Sequence, residues 1–275
     1  PLAAADACDA DLRTAVQAGL LGTLQRHGIR AAGFVNEGRG CGSAVVSGTI
    51  EAWLDGGHTL GNHTHSHPDL NRVPLVRYTD DILKGEALTR PLLARRGQRL
   101  RYFRHPFLHA GATAEAKQGL ADFLAAHGYE VAAVTFDNQE WVFAHAYQRA
   151  HTARNAPLKR RIAQAYLAHM EEVTAFFEER SRAVLGREPA QTLLLHANLL
   201  NADHLDALIG MFRRRGYGFV TLAEAQADPA YGIADGYTGP KGLSWIHRWG
   251  LTKGMPVVEE PREPEWVAKL AAGGG

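Results

Sequence analysis

Long apolar runs are missing from this 275-residue chain: no stretch approaches the roughly 18 consecutive apolar residues of a bilayer-spanning helix, so no membrane span is expected. An excess of charge of either sign is missing too. With 30 Lys and Arg against 29 Asp and Glu, the formal charge is +1, which supplies no broad field to draw in nucleic acid or an anionic surface. The opening, PLAAADACDAD, lacks the basic-then-apolar order of a signal peptide. Cysteine is scarce: Cys8 and Cys41 are the only two. They cannot build a cysteine zinc cluster, and two unpaired thiols is the favoured reading. What remains is ordinary. A hydrophobic content of 45% supplies a full core, and the length suits one α/β barrel domain.

Periodicity orders the chain. Leu12, Val16, Leu20, Leu21 and Leu24 recur at helical spacing over residues 9–27, and Gly28 ends the helix. A strand AAGFVN follows, then a glycine-rich loop over 37–48, a short helix around 50–54, and the strand HTLGN. A helix over 78–96, the strand RYFRHP, a helix over 113–127 and the strand EVAAVTFD come next. A long helical stretch over 144–185, the strand TLLLHA, a helix over 202–215 and the strand YGFVTL complete the alternation. Strand and helix alternating predict a parallel sheet with crossover helices. Six strands are expected, and because the chain opens on a helix, the strand that feeds it is expected to lie upstream. Residues 1–228 are read as this barrel, with a helical insertion at 144–185, and 229–275 as an irregular tail packed on it.

Polar residues collect at the carboxyl ends of the expected strands: His63 after TLGN, Arg104 after RYF, Asp137 after VAAVTF and His196 after TLLL. On parallel β/α barrels that rim carries the chemistry. His63 and His67 are four residues apart, so a helical turn after the strand puts both imidazoles on one face, able to share a metal ion, with His65 pointing elsewhere. Taken alone, such a pair is as often a solvated polar loop. Arg104 lies among aromatics in RYFRHPF, where an arginine is expected to hold a carboxylate. In FDNQEW, Asp137 and Glu140 are either turn residues or, beside Trp141, an acid-base group next to an apolar pocket. His196 is expected at the rim rather than in the core.

In this order the pieces resemble the polysaccharide deacetylases of the NodB-homology type, carbohydrate esterase family 4. The family's second motif, H-[ST]-x-x-H, is met by HTHSH, its third, R-x-P, by RHPF, its fourth, D-x-x-D-W, by DNQEW with Glu140 in place of the second aspartate, and its fifth by LLLHA. The resemblance runs from about residue 1 to about residue 225. It implies a distorted seven-stranded TIM-like β/α barrel and a metal-dependent deacetylase acting on an acetylated oligo- or polysaccharide, a bacterial cell-wall or surface glycan foremost. It also implies a divalent ion, zinc foremost, with cobalt, nickel or manganese as substitutes. Carried over, His63 and His67 are metal ligands, His196 is the general acid, Glu140 orients and tunes it, and Asp137 belongs to the catalytic group. Arg104 holds the catalytic base, Trp141 and Leu194 line the slot for the acetyl methyl, and Pro106 and Phe107 border the substrate. Members are often exported, so a periplasmic or secreted location is expected, and with it a possible Cys8–Cys41 pairing.

Two departures stand out. The first motif, a strand ending Asp-Asp-x-Pro that supplies the base and the third ligand, has no counterpart, and Pro1 stands where its proline would fall. The chain is therefore expected to bind metal poorly as written, with Asp6, Asp9 or Asp11 the stand-ins at hand. Glu140 also shifts its carboxylate by one methylene, on the order of 1 Å, enough to matter for positioned chemistry. The rival readings are a glycan-binding homologue without a base and an unrelated amidohydrolase. The latter predicts a lysine or further histidine at a strand end, and none is present. Trp245, His247 and Trp249 are read as packing.

Overall fold

The computed structural model describes residues 8–273. Helix α1 (Ala10–His27) starts where the Asp9 carboxylate accepts from Leu12 N at 2.9 Å, satisfying one of the amides a helix leaves unpaired. It stops at Gly28, whose φ of 65° is a left-handed conformation open to glycine at little cost. Strand β1 (Ala32–Val35), helix α2 (Ser43–Asp55), strand β2 (Thr59–Asn62), helices α3 (Leu75–Lys84) and α4 (Thr89–Ala94), strand β3 (Tyr102–Phe103), helix α5 (Ala114–Ala126) and strand β4 (Glu130–Val131) follow. The strands pair in parallel in the order β1-β2-β3-β4, with Val35 opposite Asn62 and Asn62 opposite Phe103. Helices α6 (Glu140–Thr152), α7 (Ala156–Leu185), α8 (Leu199–Arg214) and α9 (Leu222–Gln226) build the second half, and α10 (Trp245–Thr252) and α11 (Glu265–Ala272) lie in the tail. The architecture is α/β. Among the described residues no helix is long and apolar enough to cross a membrane.

Several elements differ from the sequence reading, each for a physical reason. The glycine-rich loop ends early, because α2 begins at Ser43 and buries Val46 and Ile50. The helix expected over 78–96 is two helices. They break at Gly85, where an added Cβ would lie 2.5 Å from the Thr64 carbonyl carbon, so the break lets the chain press against the loop that follows β2. Only Glu130–Val131 of EVAAVTFD is regular strand, and TLLLHA is reduced to one parallel bridge, Phe136 to Leu193. There the backbone groups are met by side chains and by the tail. Thr192 Oγ1 donates to Ala133 O, Thr192 N to Thr135 Oγ1, Ser244 Oγ to Thr135 O and Trp245 N to Val134 O, all at 2.7 Å. YGFVTL forms no strand, and Phe219 and Val220 stand exposed. The tail is less irregular than expected. Ser244 caps α10, and Trp245 and Trp249, one turn apart, are both buried.

The thiols are also corrected. Cys8 and Cys41 are joined in a disulfide, with their Cα atoms 5.1 Å apart. Spacing could not reveal this, because proximity depends on the loop after β1 curling back toward the start of α1. Closing a ring of this size contributes about 4 kcal/mol in the chain-entropy account.

Candidate active site

The chain after β2 makes an unusual turn. Thr64 and His67 both have positive φ, 66° and 61°, a conformation costly for residues with a branched or bulky side chain. Three contacts hold it: Thr64 N donates to Asn62 Oδ1 at 2.7 Å, His67 N donates to Thr64 Oγ1 at 3.0 Å, and the buried Asn36 amide donates to the carbonyls of His63 and Thr64. The result is that His63 and His67 meet edge to face with ring centroids 4.8 Å apart. They meet through two left-handed residues, not through the helical turn that their spacing suggested. His65 does point away, with its ring against Gly38.

The two rings are prepared differently. His63 Nδ1 lies 2.7 Å from the Arg104 carbonyl oxygen. A carbonyl only accepts, so Nδ1 carries the proton and Nε2 keeps its lone pair. Burial, more than any neighbouring charge, holds His63 well below its ordinary pKa. His67 is lowered to about 4, first by burial and then by Arg39, and its buried Nδ1 has no partner. Two neutral imidazoles side by side suit a transition metal. A third donor is not at hand: among the described residues no group of three or more His, Cys, Asp or Glu side chains could hold an ion. Asp6 lies outside the described residues, Asp9 is spent capping α1, and Asp11 is exposed in its first turn. The residues therefore fit two positions of a metal site.

Arg104 departs from the sequence expectation. Among the described residues its guanidinium has no carboxylate in ion-pair contact. Nε donates to Ala132 O at 2.7 Å, and the group stacks 4.5 Å over the Phe34 ring. Burial pulls its pKa down to about 10. A buried cation without an anion is expensive, and the groups that act on it at longer range are the Tyr231 phenol and the Asp137 carboxyl, which is charged only when deprotonated.

Across a shared cavity of about 1020 Å³ stands the other half of the site. His63, His67, Arg104, Phe107, Asp137, Trp141, Leu194 and His196 all line it. His196 Nδ1 lies 2.7 Å from Glu140 Oε2, and the Glu140 carboxylate is fully buried at the first turn of α6. Trp141 is 47% exposed, with Nε1 donating to Gln139 Oε1, so it offers an open face rather than a sealed slot. Phe107 is 53% exposed and lies edge to face on His67 with ring centroids 4.6 Å apart. Pro106 is buried and does not border the cavity. Residues the sequence did not single out complete the arrangement. Asn198 and Asn201 donate to Glu140 Oε1, and Tyr166 donates to Asn201. Asn198 caps α8, but the sequence reading began that helix at residue 202 and so gave no capping signal there.

Asp137 is pushed up from 3.8 to about 7, mainly by burial and then by the charge of Glu260 from the tail. The sign is fixed by linkage. Between about pH 4 and 7 the folded protein keeps a proton that the unfolded chain has released, so stability falls as pH rises through that window and levels off above it. Asp137→Asn removes this dependence. Its melting temperature should gain on the wild type as pH climbs from about 4 to 7, worth on the order of 2 kcal/mol after discounting for the side chain's contact with the cavity. Parallel thermal melts check it, and a difference that stays constant across the window contradicts it.

Comparison with known proteins bears on the fold and on the first half of the chain. The sequence pattern of the family described as polysaccharide deacetylase matches residues 6–132. The peptidoglycan-N-acetylglucosamine deacetylase PgdA of Listeria monocytogenes is 34% identical over 75 residues, 26% of this chain and 15% of that protein. The aligned part is thus a small fraction of that relative. The crystal structure of the polysaccharide deacetylase Bc1974 from Bacillus cereus superposes with a TM-score of 0.55 at 17% identity, covering 75% of this chain and 85% of that one. A mutant form of the peptidoglycan deacetylase PdaC from Bacillus subtilis superposes with a TM-score of 0.50 at 20% identity, over 78% and 84% of the two chains. At these identities the structures speak for the fold, a β/α barrel. The matched segment, just under half of the chain, and the order of the motifs make residues 6–132 similar to the polysaccharide deacetylases, and the solved structures share the fold.

Proposed function

We propose that the chain is a metal-dependent deacetylase that removes acetyl groups, N-acetyl groups foremost, from a cell-wall or surface glycan. The observation that carries this reading is the convergence on one cavity of two kinds of group from distant parts of the chain: the His63–His67 pair, and His196 backed by the buried Glu140. When bound at His63 and His67, a divalent ion such as zinc supplies Lewis acidity toward an acetyl carbonyl. The protein's own side chains supply the rest. His196, with Nδ1 on Glu140, takes up a proton on Nε2 from the water consumed in the hydrolysis and passes it to the departing nitrogen, while the buried carboxylate stabilises the ring as its charge changes. Trp141 and Phe107 offer exposed aromatic faces on which a sugar ring can lie. Asp137, poised near neutrality, exchanges protons within the cavity. The Cys8–Cys41 disulfide favours an oxidising compartment, in keeping with a periplasmic or secreted protein.

A second reading, a glycan-binding homologue of impaired activity, is supported by the absence of a third metal donor and of a carboxylate against Arg104 among the described residues. One experiment separates the two. The chain is loaded with zinc or cobalt, and acetate release is measured from acetylated chito-oligomers, peptidoglycan and acetyl-xylan. Acetate from the amino-sugar substrates is the expected result. No acetate from any of them, together with retained glycan binding, overturns the deacetylase in favour of the binding protein.

A further inference from the structure

We infer that Asn201, Asn198 and Tyr166 are positioning residues that lock His196 into one tautomer, Nδ1–H on Glu140 and Nε2 left for the substrate. The inference rests on the reading of His196 as the proton donor and adds to it the device that sets the donor's state. Each amide is oriented by a partner of its own. Asn198 caps α8, its Oδ1 accepting from Asn201 N at 2.9 Å, so its amide nitrogen must face Glu140 Oε1. Asn201 Oδ1 accepts from the Tyr166 hydroxyl at 2.8 Å, so its Nδ2 is turned to Glu140 Oε1 at 2.9 Å and to the His196 carbonyl at 2.8 Å. Burial and the charge of Glu140 push the Tyr166 phenol well above its ordinary range, which keeps it a donor.

With two amide donors on Oε1, the remaining oxygen, Oε2, meets His196 Nδ1 at 2.7 Å. A carboxylate surrounded by donors stays an acceptor, and an acceptor at that distance requires Nδ1 to carry the proton. The neutral resting ring then has its lone pair on Nε2, which takes up there the proton that it later passes to the leaving group. Tyr166 sits on α7, fully buried, so the long helix reaches the chemistry through three links: phenol, amide, carboxylate. The chain also accommodates Glu140 in this way. The extra methylene carries the carboxylate back to the start of α8, where the two asparagines receive it.

The test reads the ring itself, without turnover. In the full chain labelled with 15N-histidine, with signals assigned by loss in His196→Gln, the wild type should show a protonated Nδ1, an unprotonated Nε2 and a strongly deshielded Nδ1 proton. Asn201→Leu, similar in shape and unable to donate, should lose the deshielded proton and show a mixture of tautomers. Tyr166→Phe, which deletes one oxygen and leaves the packing, should shift the same signals in the same direction. Wild-type ring signals in an Asn201→Leu protein that melts cooperatively overturn the inference. Should that variant fail to fold, wild-type signals in Tyr166→Phe overturn it. Failure of the deacetylase reading would show as absent acetate in the wild type and would leave these spectra as they are, so the two outcomes are separable.

Discussion

Replacing His196 by alanine should lower kcat for acetate release by roughly 10²–10⁴-fold, the range that a positioned acid-base group contributes, with KM little changed. The expectation follows from the geometry. His196 is the imidazole of the cavity whose Nδ1 is tied to a buried carboxylate, so its other nitrogen is the one free to serve a leaving group. Removing the ring leaves the aromatic faces of Trp141 and Phe107 in place, and binding persists while proton delivery does not. Initial-rate kinetics of the zinc-loaded wild type and variant on an N-acetylated oligomer give the answer. A variant within about threefold of the wild-type kcat would remove His196 from the chemistry.

Changing His63 or His67 to alanine should weaken zinc affinity by more than the roughly 10–100-fold that loss of a hydrogen-bond partner behind a metal ligand costs. Both rings are held neutral by burial, so neither needs to shed a proton to bind, and the Arg104 carbonyl aligns His63. Titration calorimetry with zinc, and cobalt absorption as a second readout, report the loss directly. Because His63 is buried, each variant is compared only after its melt shows an intact fold. Wild-type affinity in both folded variants would show that the ion, if bound, is held elsewhere.

Much of this site was legible in the sequence because a parallel β/α chain brings its strand ends to one rim, whatever the spacing between them. His63, Arg104, Asp137 and His196 lie far apart in the chain and border one cavity for that reason. What was not legible depended on three-dimensional detail. The four-residue spacing of His63 and His67 suggested a helix, but the backbone instead passes through two left-handed residues stabilised by Asn36, which lies 27 residues upstream of His63. Arg104 was expected to hold a carboxylate because buried cations usually do, and pattern alone cannot show that Ala132 O and the Phe34 ring take that place. The later strands were read from apolar runs, yet a strand is defined by its neighbour's hydrogen bonds. Around residues 133–136 those bonds go to Thr192, Ser244 and Trp245. Tyr166 could not have been linked to Glu140 at all without knowing where α7 packs.

The covalent ring from Cys8 to Cys41 encloses α1, β1 and Asn36, the residue whose amide clasps the backbone of the imidazole loop. A protease that cuts within that ring, at Arg30 or Arg39 for instance, leaves the pieces joined as one molecule. Only a reductant lets them part, and with them the clasp.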